Sequence, residues 1–510
     1  MYSIVNTATV FGIDSKIISV EADISEGMPI FEMVGYLSSE VKEAKERVRS
    51  ALKNEGYALP VKRITVNLSP ASIRKTGAGF DLPIAVAILS AIGAISTDKL
   101  ENICMVGEIS LDGKIQPING VLSMVTEAKK QKMEIVIVPK ENLVEARLIS
   151  GITTIGVEKL SQVIEIINEG VFKMKEEPVI NEKMPIEAEH DFSMINGQQA
   201  LRRACEVAIS GMHNMLMVGP PGAGKSMMAK CIPSILPPMD TDEQMEISKI
   251  YSVAGKFDER KGLIKNRPFR SPHHTISPQG LVGGGQYPKP GEISLAHSGI
   301  LFLDELTEFN KATLEILRQP MEDKQVNIAR ATGSFTFPAD FVLIAAMNPC
   351  SCGYYPDLNR CHCTRQSIQR YLAKISQPLL DRIDICAEAP TLNFAQVSKK
   401  NQNESSADIR KRVIECHKKQ SARFRDYEFK FNSQIPGSLM DKFCHLDEVE
   451  TKFMEEMYEK YALTARTYHK VLRVARTIAD MDNQEKIQII HLREALIYRG
   501  LDKKYWEVAI

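Results

Sequence analysis

Met215-Leu-Met-Val-Gly-Pro-Pro-Gly-Ala-Gly-Lys-Ser226 is the stretch on which the reading of this chain turns. Met215 to Val218 is an unbroken apolar run of strand length, the pattern of a strand buried on both faces. Gly219 to Ser226 then fits GxxxxGK[ST] and runs into a helical pattern, the strand–loop–helix context that the motif requires. The loop Gly219, Pro220, Pro221, Gly222, Ala223 and Gly224 can wrap so that its N–H groups turn inward on phosphate oxygens, and the helix N-terminus adds a favourable dipole. Lys225 is expected to reach the β and γ phosphates and the Ser226 hydroxyl to ligate Mg²⁺, so ATP with Mg²⁺ is the expected ligand. A chance glycine-rich turn is the competing reading, and it leaves the Lys-Ser ending unexplained.

Further along, Gly299-Ile-Leu-Phe-Leu-Asp-Glu305 is an apolar strand ending in two carboxylates. Phosphoryl transfer needs metal-neutralised charge and a positioned water, so Asp304 is expected to hold the Mg²⁺ through water and Glu305 to polarise the attacking water. A dinucleotide fold is a poor rival, since its fingerprint lacks the Lys-Ser ending. A third strand, Phe341 to Met347, delivers Asn348 to its end. Asn348 either orients the lytic water or merely caps the turn before Pro349.

Around this centre the chain divides by texture. At 510 residues it exceeds one hydrophobic core. Residues 1–170 mix β-rich runs (Ile64–Leu68, Ile135–Val138) with helical stretches such as Ser38–Asn54. Residues 171–190 are acidic, polar and proline-bearing, and read as a linker. Residues 191–395 alternate short apolar strands with helices, the pattern of a parallel α/β sheet. Residues 396–510 are helical throughout, with a polar stretch at Lys399–Ser406 that reads as a hinge loop.

Composition narrows the functional class. Lys+Arg and Asp+Glu both total 64, so a polyanionic partner would be held by local basic patches and not by the overall field. The N-terminus has no basic segment leading into an apolar core, so no secretory signal is expected. The longest apolar run, Leu82 to Ile95, is too short to span a bilayer. Ten cysteines in a chain of this size are no disulfide scaffold, and a cytoplasmic location fits. Four of them, Cys350, Cys352, Cys361 and Cys363, form a CxC…CxC pair that can close a tetrahedral Zn²⁺ site of structural type. Four unconnected cytosolic thiols are the other reading.

The stretch from Asp191 to Asp480 resembles the magnesium-chelatase-like branch of AAA+ ATPases and, more closely, the ComM/YifB family. The resemblance is carried by Phe269-Arg-Ser-Pro-His-His274, Leu281-Val-Gly-Gly-Gly285, Pro290-Gly-Glu-Ile-Ser-Leu-Ala-His297 and Leu301-Phe-Leu-Asp-Glu-Leu306. Ala346-Met-Asn-Pro-Cys350, Leu379-Leu-Asp-Arg-Ile-Asp384 and Ala465-Arg-Thr-Tyr-His469 extend it. It implies an AAA+ P-loop core with a parallel sheet, a helical C-terminal lid and a hexameric ring with ATP at subunit interfaces. By the same resemblance Asn348 is the water-orienting residue and Arg382 an arginine finger reaching the neighbouring subunit, a role suited to the guanidinium fork. An ion pair of Arg382 with Asp381 or Asp384 is the alternative. Arg466 is the expected lid sensor, with Arg473 as second choice. Pro268–Pro290 would be a mobile pore loop in which His273 and His274 lack a third metal ligand.

Residues 1–170 resemble the α+β Lon-protease-like domain of the same family, through Val66-Asn-Leu-Ser-Pro70, Lys75-Thr-Gly-Ala-Gly-Phe-Asp-Leu82 and Val106-Gly-Glu-Ile-Ser-Leu-Asp-Gly-Lys114. Lon-type proteolysis needs a serine nucleophile and a lysine base. The serine position falls at or beside Gly79 and the lysine position near Leu122, so no peptidase activity is expected. Two functional classes follow from the resemblance. One is a DNA-remodelling ring motor of helicase or branch-migration type. The other is a chelatase-like motor acting on a protein or metal-insertion partner. Basic runs at Arg410–Arg425 and Arg47–Lys75 are the candidate phosphate contacts for the first.

Overall fold

The computed structural model describes residues 1–170, 190–330, 333–392, 403–500 and 503–507. Residues 171–189 of the expected linker, the boundary at 395/396 and the first half of the expected hinge loop, 399–402, lie outside the described residues.

The N-terminal region is built on a seven-stranded sheet. Its order is Phe31–Val34, Arg63–Ser69, Asp14–Ser25, Tyr2–Phe11, Ile103–Met105, Ile135–Pro139 and Thr153–Val157. Tyr2–Phe11 and Asp14–Ser25 form an antiparallel hairpin, whereas the last three strands run parallel to one another. Alternating burial along Asp14–Ser25 is what a sheet with one covered face requires. The cover is helical. In Ser39–Asn54, Val41, Ala44, Val48, Ala51 and Leu52 form one buried stripe, and Ser38 caps the helix by accepting from the Val41 N–H. Every residue of Asp81–Ala91 is buried, so the long apolar run is a core helix. No described helix is long and apolar enough to cross a membrane.

The central region is a five-stranded sheet in the order Phe269–Arg270, Ile300–Leu303, Val342–Met347, Met215–Val218, Ile385–Glu388, parallel throughout. The three strands read from the sequence are all present, and every residue of Met215–Val218, Ile300–Leu303 and Val342–Met347 is buried. Being parallel, these strands deliver Gly219, Asp304 and Asn348 to one edge of the sheet, where open α/β sheets bind ligands. Pro268–Pro290 carries short elements joined by turns. Phe269–Arg270 is the edge strand, Pro278–Val282 is helical, and Gly283–Gly284 pairs antiparallel with Lys289–Pro290.

Four helices dominate the C-terminal region: Ser406–Arg423, Glu448–Lys460, Ala465–Met481 and Ile489–Ile497. They have no separate core. Ile409, Val413, Val471, Leu472, Val474 and Ile478 belong to the same apolar cluster as Met215, Met217 and Ile344 of the central sheet.

Both basic runs need correction. Within 410–425, Arg412 pairs with Glu206 and Glu404. Arg410 donates to the Leu236 carbonyl, Lys419 to the Asp480 carbonyl, and Arg423 to the buried Asp480 carboxylate at 2.7 Å. In the N-terminal run, Arg47 is bidentate on the buried Asp81, Arg63 pairs with Glu32, and Lys75 is wholly buried on the Pro70 carbonyl. Arg412, Arg423 and Arg47 hold the fold together, because the carboxylates of Glu206, Asp480 and Asp81 are buried and need a partner. Lys418, Arg425, Arg49 and Lys53 stay exposed.

Candidate nucleotide site

Gly219 begins the phosphate loop where the chain leaves its strand. A Cβ at this position would lie 2.3 Å from the Ala389 carbonyl oxygen, so only glycine passes. Gly222 and Gly224 take φ of +75° and +87°, which lets the loop turn back on itself before the helix Lys225–Cys231. Lys225 is buried, and burial lowers its pKa. Its ammonium donates to the Gly219 carbonyl at 2.6 Å, the Pro220 carbonyl at 2.9 Å and Asn348 Oδ1 at 3.1 Å. The side chain is therefore drawn into the loop, with its charge satisfied by oxygens that a phosphate would replace.

The Ser226 hydroxyl donates to Asp304 Oδ2 at 2.6 Å. A hydroxyl and a carboxylate oxygen at that separation form the oxygen-only donor set that a hard divalent cation prefers, so Ser226 and Asp304 fit Mg²⁺. Glu305 follows in the left-handed region at φ +51°, and its carboxylate is largely exposed. Lys225, Ser226, Asp304 and Asn348 are thus joined by direct contacts, with Glu305 adjoining them.

One neighbour of this group was not legible in the sequence. His274 Nδ1 lies 3.6 Å from Glu305 Oε2, and the ring of His273 stands 4.1 Å from that of His274. The histidine pair is expected to fill an ordinary loop role, yet it borders the proposed catalytic carboxylate. No local pattern pointed there, since the approach depends on the 268–290 segment folding over the sheet edge.

Arg382 and Arg466 are elsewhere. Arg382 just precedes Ile385–Glu388, and its carbonyl accepts from Asn214, which just precedes Met215–Val218. It therefore sits at the N-terminal edge of the parallel sheet. A four-residue strand is about 13 Å long, so this edge is roughly that far from the phosphate loop. Its guanidinium donates to the Arg318 and Pro378 carbonyls and pairs with Glu322 at 2.6 Å. The partner is Glu322, neither Asp381 nor Asp384. Arg466 shares that carboxylate at 3.2 Å. Arg382, Arg466 and Arg473 line one open pocket of about 820 Å³. The expected finger and lid sensor thus form one cationic group.

At the same edge Asp384 accepts from the Asn214 N–H at 3.1 Å and lies 3.7 Å from the His213 ring. Burial opposes its ionisation, but His213 and the charges of Lys470 and Arg473 outweigh it and hold the carboxyl at about 2. Lys470, buried beside it, is pushed down to about 8.

In the N-terminal region, Gly79 opens on a cavity of about 540 Å³ that Tyr287 and Phe335 of the central region help to close. Leu122 is buried, and its N–H donates to Glu145. Neither expected dyad position carries a nucleophile or base.

The four cysteines converge. All four sulfurs lie within 4.8 Å of one another, in the loop that follows Asn348.

Comparison with known proteins bears on each region. The family described as "Magnesium chelatase, subunit ChlI" matches residues 191–397. "Subunit ChlI of Mg-chelatase" matches 20–142, and "Magnesium chelatase, subunit ChlI C-terminal" matches 403–499. The chain is 40% identical over 502 residues to protein YifB of Salmonella typhimurium, covering 98% of this chain and 97% of that one. It is 38% identical over 507 residues to competence protein ComM of Haemophilus influenzae, with the same coverage. Lon protease 1 of Herpetosiphon aurantiacus is 28% identical over 167 residues, 30% of this chain and 20% of that one. Similarity at this level along nearly the whole length places the chain in the ComM/YifB family of magnesium-chelatase-like AAA+ proteins.

Proposed function

We propose that this chain is an ATP-hydrolysing subunit of a cytoplasmic homo-oligomeric ring, most simply a hexamer, that binds and remodels DNA. The observation that carries the ATPase reading is the junction of Lys225, Ser226, Asp304 and Asn348 at one sheet edge. Lys225 would grip the β and γ phosphates, and Ser226 and Asp304 would hold Mg²⁺. The metal would neutralise charge developing on the phosphate oxygens. Glu305 would take a proton from the attacking water, and Asn348 would orient that water.

The ring reading rests on the opposite edge. Arg382 and Arg466 lie at the edge opposite their own phosphate loop, which supports a role on another subunit's nucleotide. Glu322 would hold the pair until a neighbour's phosphates compete for it. The gain is electrostatic, since a guanidinium fork meets transition-state oxygens better than an exposed carboxylate does.

DNA as substrate is supported by the ComM resemblance and by the exposed cations Lys418, Arg425, Arg49 and Lys53. The second reading, a chelatase-like motor on a protein or metal-insertion partner, is favoured by the matches to chelatase subunit families in all three regions. ATPase measurement with single-stranded and branched DNA separates the two. A DNA motor should be stimulated, with binding that weakens steeply as salt rises because phosphate contacts release counterions. Charge reversal of Lys418 and Arg425 should flatten that slope and leave unstimulated turnover intact. Intact rings with basal ATPase and no response to DNA at low salt would favour the second reading.

A further inference from the structure

The loop after Asn348 folds back so that Cys350, Cys352, Cys361 and Cys363 share one small volume. The Sγ atoms of Cys350 and Cys352 are 3.3 Å apart, those of Cys350 and Cys361 3.7 Å, and those of Cys352 and Cys361 3.5 Å. None of the four is in a disulfide. Zn–S bonds of about 2.3 Å at tetrahedral angles place sulfurs about 3.8 Å apart, close to this spacing.

The surroundings are built for thiolates. The Tyr355 N–H points at Cys350 Sγ at 3.4 Å, and the Ser351 hydroxyl lies 3.3 Å from Cys363 Sγ. Donors aimed at sulfur from a loop's own backbone orient and stabilise metal-bound thiolates. Cys350 and Cys361 are buried while Cys352 and Cys363 are partly exposed, which leaves an entry path.

The same loop presses on the nucleotide site. Gly353, at φ +87°, has no room for a side chain, because a Cβ would stand 2.4 Å from Pro221 Cδ of the phosphate loop. Asn348, two residues before Cys350, holds Lys225.

We propose that Cys350, Cys352, Cys361 and Cys363 hold one Zn²⁺ as a closed tetrathiolate site, and that this site clamps the Asn348 loop against the phosphate loop. Four protein ligands leave no position for a substrate, so the metal braces and does not react. The first half is independent of the ATPase reading, and the second half rests on it.

Elemental analysis of the full chain purified without chelator tests the first half. About one Zn²⁺ per chain, retained through dialysis against EDTA and released by a thiol-specific mercurial, is expected. Co²⁺ replacing it should give the visible bands of a tetrahedral thiolate site. Zinc near zero with four freely titrating thiols overturns the site, and so does zinc that EDTA removes under native conditions, which is an adventitious ion only. The double variant Cys352→Ser/Cys363→Ser should lose the metal and bind a fluorescent ATP analogue about tenfold more weakly. A variant that keeps its zinc overturns the ligand assignment. Loss of zinc with unchanged nucleotide affinity overturns the clamp. If the variant fails to fold, mercurial release of zinc from the wild-type chain, followed by the same binding measurement, gives the second readout.

Discussion

In the proposed ATPase Lys225 and Glu305 would have separate tasks, as the surroundings of each side chain suggest. Lys225 is buried with its ammonium on three oxygens, so it is a grip already folded into the loop. Glu305 is held by its backbone, with a positive φ and an N–H bonded to Asp304 Oδ1, while its carboxylate stays open to water. Lys225→Ala should therefore abolish ATP binding. Glu305→Gln should bind ATP and lose about 10²-fold or more in kcat, the usual worth of a positioned base. His274 lies 3.6 Å from the Glu305 carboxylate. His274→Ala should lower kcat by roughly tenfold through misplacement of that carboxylate and leave nucleotide affinity unchanged. Single-turnover hydrolysis beside equilibrium binding checks all three variants. Wild-type turnover in Glu305→Gln would remove it as the activating carboxylate.

Among the elements, the parallel sheet sorts the chemistry by edge. Strand ends at one side gather Lys225, Ser226, Asp304 and Asn348, and strand beginnings at the other gather Arg382, Asp384 and helix Ala465–Met481. Lys470 of that helix donates to the Ile383 carbonyl at 2.8 Å, so the helix is tied to the sheet through the segment that carries Arg382. Asp384 is the electrostatic centre of this tie. Its folded value of about 2 lies below an ordinary carboxyl value of about 3.9. The stabilisation, on the order of 2–3 kcal/mol, is therefore present above about pH 4 and is lost as pH falls through about 2. Urea unfolding between pH 5 and pH 2 should show that loss, and Asp384→Asn should flatten the dependence in this window. An unchanged slope in the variant would assign the acid sensitivity to other carboxylates.

At the scale of the whole molecule, the N-terminal region is seated on the central one. Helix Val121–Lys130 packs on helix Thr241–Val253, Phe11 packs at a tilt against Phe335, and Arg74 lies over the rings of both Tyr36 and Tyr287. The Lon-like region thus contacts the helix before the 268–290 segment and the hairpin within it, the segment that also carries His273 and His274. Within one chain, however, the phosphate grip and the arginine pair never meet. Mixing Arg382→Ala subunits with Lys225→Ala subunits should restore part of the ATPase, since some interfaces then combine an intact Lys225 with an intact Arg382. Rings that assemble from both variants and stay inactive would count against Arg382 acting in trans.

The sequence by itself determined the phosphate loop, the acidic pair, the three central strands and the family. Each is written locally, as an apolar run of strand length followed at once by the residues that the chemistry needs. The cysteine spacing announced a possible metal site in the same way. Tertiary structure alone decided which charges are free. Arg412 and Arg423 look like a phosphate-binding stripe in sequence, yet their partners Glu206 and Asp480 are far along the chain and burial forces the pairing. It alone brought His274 to Glu305, and it alone set Arg382 and Arg466 on one carboxylate. Periodicity and spacing report what a segment buries, but which distant segment it meets is fixed by how the sheet orders its strands, and that order is not written in any one of them.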